Sequence, residues 1–110
     1  MPNPRRYTPY CIAAAELLGR QIQLGRKQRR WTESELAGRA GVSRATLQKI
    51  EKGDLSCTLG LVFEVACLVG VPLFEDNPAS LAVKLDRTLD KIALLPQSIR
   101  KGYTEVDDDF

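Results

Sequence analysis

The chain has 110 residues, 44% hydrophobic and 27% charged, the size and composition of one globular domain rather than a disordered, collagen-like or low-complexity segment. It has no histidine and three cysteines, Cys11, Cys57 and Cys67, with no C-x-x-C pair. This excludes a Ser-His-Asp triad, a Cys-His dyad and a His-bearing zinc site, and argues against a disulfide framework.

The net charge of +2 conceals an asymmetry: residues 1–56 sum to +6 and residues 57–110 to −4. The first half suits a polyanion and the second a different partner. No window approaches the roughly 18 apolar residues of a membrane span, and the N-terminal residues lack the apolar core of a secretory signal. A soluble cytoplasmic protein without metal or cofactor is expected.

Ala15, Leu18, Ile22 and Gly25 recur at helical spacing before a basic run that suits a helix C-terminus, predicting a first helix over about 12–29 behind an arm of residues 1–11. Thr32-Glu33-Ser34-Glu35 is a T-x-x-E capping box, so a short second helix starts near Glu33 and gives out at Gly41. Ser43 is a fresh N-cap for a third helix from Arg44 to Lys52, ended by Gly53. Trp31, just before the capping box, is a hydrophobic-staple residue and core rather than a stacking platform.

Thr58 caps a fourth helix, Leu59 to Val69, closed by Gly70 and Pro72. Glu64 is its only charge, so it is expected at the centre of the core or in an interface, with Cys67 a small core residue. Asn77-Pro78 opens a fifth helix that stops before Pro96 and carries Leu81, Leu85, Leu89 and Ile92 on one stripe. That stripe predicts a dimer interface. Residues 97–110 form an acidic tail that cannot pack alone. The expected organisation is thus arm 1–11, a domain over 12–76, an amphipathic helix over 77–96, and the tail.

Leu36, Ala37, Ala40, Gly41, Val42, Leu47 and Ile50 sit at the offsets of two short helices crossing through a tight turn. Ala37 must be small for the next helix to pass close above it, Gly41 turns the chain, and Val42, Leu47 and Ile50 lock the crossing. An ordinary helical hairpin with a solvated basic face is the alternative. Against it, the outward face of the third helix has Arg44, Ala45, Gln48 and Lys49, with no acidic side chain until Glu51.

The run RKQRRWTESELAGRAGVSRATLQKIEKGD resembles the Xre/Cro-type helix-turn-helix family of phage and bacterial repressors. The resemblance implies an all-α, five-helix, lambda-repressor-like helix-turn-helix fold, its C-terminal helix the amphipathic one and followed by the acidic tail. It also implies that the third helix enters the major groove of double-stranded DNA. Arg44, Ala45, Thr46, Gln48 and Lys49 would then read base edges, Arg44 by a fork onto guanine and Gln48 by pairing with adenine. Ser43, Thr32, Arg29, Arg30 and the Arg5-Arg6 arm would hold phosphates. Glu33 stands where such repressors usually carry Gln, and a carboxylate near phosphate is unfavourable. Arg26 and Glu51 match a family pair that bridges the first helix to the end of the third.

The fourth and fifth helices and the terminal Val106-Asp107-Asp108-Asp109-Phe110 resemble, more narrowly, HipB-type antitoxins encoded with HipA-type serine/threonine kinase toxins. This implies a homodimer that represses its own operon through a palindromic operator and gathers the kinase there, with the acidic tail available for docking. A stand-alone phage-type or metabolic repressor is the alternative. Without histidine, a Gly-rich phosphate loop or paired acids, an enzyme is not expected.

Overall fold

A proline at the first helical position has its φ preset and lacks an amide that would go unpaired there anyway. Thr8-Pro9 uses this, with the Thr8 hydroxyl accepting from the Cys11 amide at 3.3 Å. In the computed structural model, which describes residues 5–74 and 77–97, helix α1 accordingly spans Pro9–Gln28. It starts three residues earlier than its apolar spacing indicates, which shortens the expected arm.

Then follow α2 (Glu33–Ala40), α3 (Arg44–Glu51), α4 (Leu59–Leu68) and α5 (Pro78–Ala93). The described residues hold five helices and no strand, an all-α lambda-repressor-like fold. Helices α1, α3 and α4 each end one residue short of their expected bounds. Beyond Gln97 the expected acidic tail lies outside the described residues.

The chain divides into two units, residues 1–73 and 74–110. Every described residue that is buried lies in the first unit. Its core joins Ile22 of α1, Leu36 and Ala37 of α2, Leu47 and Ile50 of α3, and Val65, Ala66 and Val69 at α4. Trp31, Ala40 and Val42 pack against it half-buried, as the helix-turn-helix spacing requires.

Helix α1 passes close to its neighbours at two glycines. A Cβ on Gly19 would stand 2.6 Å from the carbonyl oxygens of Ile50 and Glu51, and one on Gly25 would stand 2.8 Å from that of Val69. Gly25 was legible in the helical spacing; Gly19 has no such signal.

Helix α4 turns only part of its apolar surface into this core. Val65, Ala66 and the C-cap Val69 are buried, but Leu59 is 66% exposed, Leu61 is exposed, and so is Cys67, which is therefore not a core residue. Ten residues on the edge of a small core can turn only one stripe inward, however apolar the other faces are. Thr58 holds the N-cap position of α4 without making the side-chain hydrogen bond expected of it. The three cysteines are free, and burial pushes the half-buried Cys57 thiol above its ordinary pKa, so it is a weak nucleophile.

In the second unit, the Asn77 side chain accepts from the Ser80 amide at 2.9 Å and Pro78 takes the first turn, as the sequence indicates. No residue of α5 is buried. Leu81, Leu85, Leu89 and Ile92 all stand exposed.

The deepest polar contact is the ion pair between α1 and the last residue of α3. Arg26 Nε donates to Glu51 Oε2 at 2.7 Å, Nη2 donates to Glu51 Oε1 at 3.1 Å, and Nη1 donates to the Trp31 carbonyl at 3.0 Å. The Glu51 hydrogen bonds hold the Arg26 pKa above its usual value against the opposing effect of burial. Among the described side chains, no buried polar atom lacks a partner. Glu51→Ala leaves a buried guanidinium without its carboxylate and is expected to lower the unfolding free energy by about 3 kcal/mol or more. The Arg26→Met/Glu51→Leu double substitution is expected to recover much of that loss, as measured by urea denaturation.

Candidate nucleic-acid interface

The Thr32 hydroxyl accepts from the Glu35 amide at 3.0 Å while the Glu35 carboxylate accepts from the Thr32 amide at 2.8 Å, closing the capping box that starts α2. Gly41, at φ 73°, turns the chain, and the Val42 amide donates to the Ala37 carbonyl at 3.0 Å. Ser43 then accepts from the Thr46 amide at 3.0 Å and donates to the Thr46 hydroxyl at 2.9 Å, starting α3.

The third helix presents Arg44, Ala45 and Lys49 exposed, with Thr46 and Gln48 half-buried beside them. Leu47, Ile50 and Glu51 anchor its opposite side. Five side chains proposed from sequence as base readers therefore share one helix held from behind by the core. Thr32 and Ser43 stand at the starts of α2 and α3, with their hydroxyls engaged in capping. At the first turns of both helices the dipole favours an anion.

Arg29 and Arg30 part company. Arg29 Nη1 donates to the Val69 carbonyl at 2.6 Å, tying the end of α1 to the end of α4, and its guanidinium lies 5.8 Å from the Trp31 ring centroid. Arg39 stacks on the same ring at 4.3 Å, so this half-buried indole is both a core residue and a seat for two cations. The Arg29 link joins residues 40 apart and has no sequence signal.

Arg30 is exposed and holds a left-handed φ of 61°. The turns after α2, α3 and α4 place glycine in that conformation, at Gly41, Gly53 and Gly70. After α1 it falls to an arginine, with the Arg30 amide donating to Lys27 and the Trp31 amide to Arg26 in a Schellman closure. In the arm, Arg5 and Arg6 are exposed, and the Arg5 guanidinium lies 5.6 Å from the Tyr7 ring centroid.

Glu33 is the residue that sequence reasoning singled out as a departure but could not place. Its Oε1 accepts from Arg44 Nε at 3.1 Å and from Gln48 Nε2 at 3.0 Å, so one carboxylate oxygen at the start of α2 holds two side chains of α3. These hydrogen bonds, from Gln48 first and then Arg44, keep the Glu33 carboxyl below the usual carboxylate pKa.

Residues 22–75 match a protein-family model described as helix-turn-helix. The match runs from inside α1 to just past α4 and takes in the capping box, the Gly41 turn and all of α3. Residues 22–75 are an Xre-like helix-turn-helix domain. No curated protein and no solved structure matches the chain. Helix-turn-helix domains of this kind are DNA-binding, and the protein is a DNA-binding transcriptional regulator. Among the described residues, no helix is long and apolar enough to cross a membrane, and no group of three or more Cys, Asp or Glu side chains is placed to hold a metal ion.

Because its folded-state pKa is depressed, the Glu33 carboxylate stays ionised through neutral and mildly acidic pH, and its contacts to Arg44 and Gln48 are lost only as pH falls through that lowered value. A carboxyl-resolved NMR titration is expected to place Glu33 below the ordinary glutamate range. Gln48→Ala and Arg44→Ala should each move it back up, and an unshifted carboxyl would contradict the geometry.

Proposed function

We propose that the protein is a sequence-specific repressor that reads an inverted-repeat operator as a homodimer and is the autoregulating antitoxin of a HipA-type kinase toxin operon. The observation that carries the DNA-reading part is the outer side of α3, where Arg44, Ala45 and Lys49 stand exposed on a helix fixed from behind. Arg44 forks onto guanine O6 and N7, Gln48 pairs with adenine, and the methyl groups of Ala45 and Thr46 meet thymine. Lys49 extends the same readout one turn on.

Phosphates are held at the first turns of α2 and α3, beside Thr32 and Ser43, by Arg30, and by Arg5-Arg6. Arg30 fits this role well, because it keeps a charged side chain at a left-handed position where glycine is easier. Arg29 contributes mainly through its field, its Nη1 being engaged by the Val69 carbonyl.

The homodimer is supported by α5, whose Leu85 and Ile92 are 57% and 59% exposed with Leu81 and Leu89 on the same stripe, and by the exposed Leu59 and Leu61 of α4. The antitoxin reading rests on the resemblance of the fourth and fifth helices and the terminal acidic segment, the last of which lies outside the described residues. A kinase that co-purifies with the protein from its native host supports that reading, and its absence favours a stand-alone repressor.

Arg44→Ala is expected to weaken operator binding by about 1–3 kcal/mol and to relax preference at one base pair per half-site. Arg30→Ala should weaken all sequences alike; an Arg44→Ala protein with unchanged affinity and preference would overturn the base-reading assignment. Sedimentation at micromolar concentration is expected to give a dimer, and footprints on the DNA upstream of its own gene should have two-fold symmetry with half-sites about one or more helical turns apart. A monomer with asymmetric footprints would contradict the dimer.

A further inference from the structure

Two side chains four residues apart on a helix are neighbours, but long polar ones on an exposed face ordinarily move independently. Arg44 and Gln48 do not, since both donate to Oε1 of Glu33 at 3.1 and 3.0 Å. An ionised carboxylate only accepts, so it also decides which end of the Gln48 amide faces it: the amino group turns toward Glu33 and the carbonyl oxygen away.

The remaining hydrogen-bonding groups are then defined. Arg44, with Nε engaged, keeps the two Nη groups of its fork, which match guanine O6 and N7. Gln48 keeps Oε1 and its second amide hydrogen, the acceptor and donor that adenine N6 and N7 require. Glu33 itself is mostly shielded, its side chain 28% exposed against 64% for Arg44, so it sits behind the readers rather than in front of them.

We propose that Glu33 is a specificity-determining residue, a positioning carboxylate that couples Arg44 and Gln48 into one rigid reader of a guanine and a nearby adenine. This inference rests on the DNA-reading proposal above and adds to it the residue that sets the selectivity. It also explains how a negative charge is tolerated beside a polyanion. The carboxylate is paired with Arg44 through Nε and is less exposed than the arginine, and its contribution is to preorganise donors that would otherwise have to be ordered on binding.

The test is selection of bound duplexes from a random-sequence pool by the full chain, its Glu33→Ala and Glu33→Gln variants, and Gln48→Ala. Neither Glu33 substitution touches the capping box, which is made by Thr32 and Glu35. For Glu33→Ala, discrimination at the Arg44 and Gln48 positions is expected to fall about 10-fold, while affinity for random duplex rises as one negative charge is removed. Glu33→Gln, whose amide oxygen can accept from the same donors, is expected to restore much of the discrimination.

Glu33→Ala and Gln48→Ala together should lose little more selectivity than Gln48→Ala alone at the Gln48 position. A Glu33→Ala protein that binds every sequence more tightly with an unchanged or sharper base preference would overturn the proposal, leaving Glu33 as a simple repulsive charge. If the unaltered protein selects no sequence, the DNA-reading proposal falls, and this one with it.

Discussion

The placement of the third helix depends on one buried guanidinium. Arg26 reaches from α1 to the last residue of α3 with two of its donors and to the turn before α2 with the third, while its own carbonyl accepts from the Trp31 amide. Three elements are thereby referenced to one side chain. An apolar core of eight small and medium residues specifies that helices pack but is forgiving about how far each slides or rotates. A bidentate ion pair, by contrast, tolerates little displacement, and its loss leaves an uncompensated charge in the interior.

From that anchor the chain of cause runs outward. Gly19 lets α1 close onto the carbonyl end of α3, and Ser43 starts α3 two turns earlier, so Arg44 emerges at a fixed height above the core. Glu33 then ties Arg44 and Gln48 to the start of α2, itself fixed by its capping box. Arg44 and Gln48 are thus held from two sides: by the core and Arg26 beneath their helix, and by a carboxylate of the preceding helix beside them. In the second unit, the apolar stripe of α5 is left unburied.

Much of this was legible in the sequence because it is local. The capping box, the Gly41 turn, the Ser43 and Asn77 caps and the glycines after α3 and α4 are each specified within four or five residues. The structure departs from the sequence pattern where local pattern has no answer. Cys67 is exposed on α4 although its neighbours suggest core, because an almost wholly apolar helix carries no polar face to mark which side looks out. The start of α1 was set by Thr8-Pro9, a cap outside the apolar period. The contacts of Arg29 with Val69 and of Glu33 with Arg44 and Gln48 depend on how helices cross, so residue type alone could flag Glu33 as unusual without saying what it holds.

The most direct test of this arrangement is a map of backbone amide shifts by NMR as the full chain is titrated with a duplex carrying its selected site. The largest changes are expected over Ser43 to Lys49 and at Thr32 and Glu33, with the core amides of Val65 and Ala66 nearly unmoved because α3 is already held in its binding position. Shifts concentrated away from α3, or a global change reaching the core around Arg26 and Glu51, would contradict a preformed reading helix.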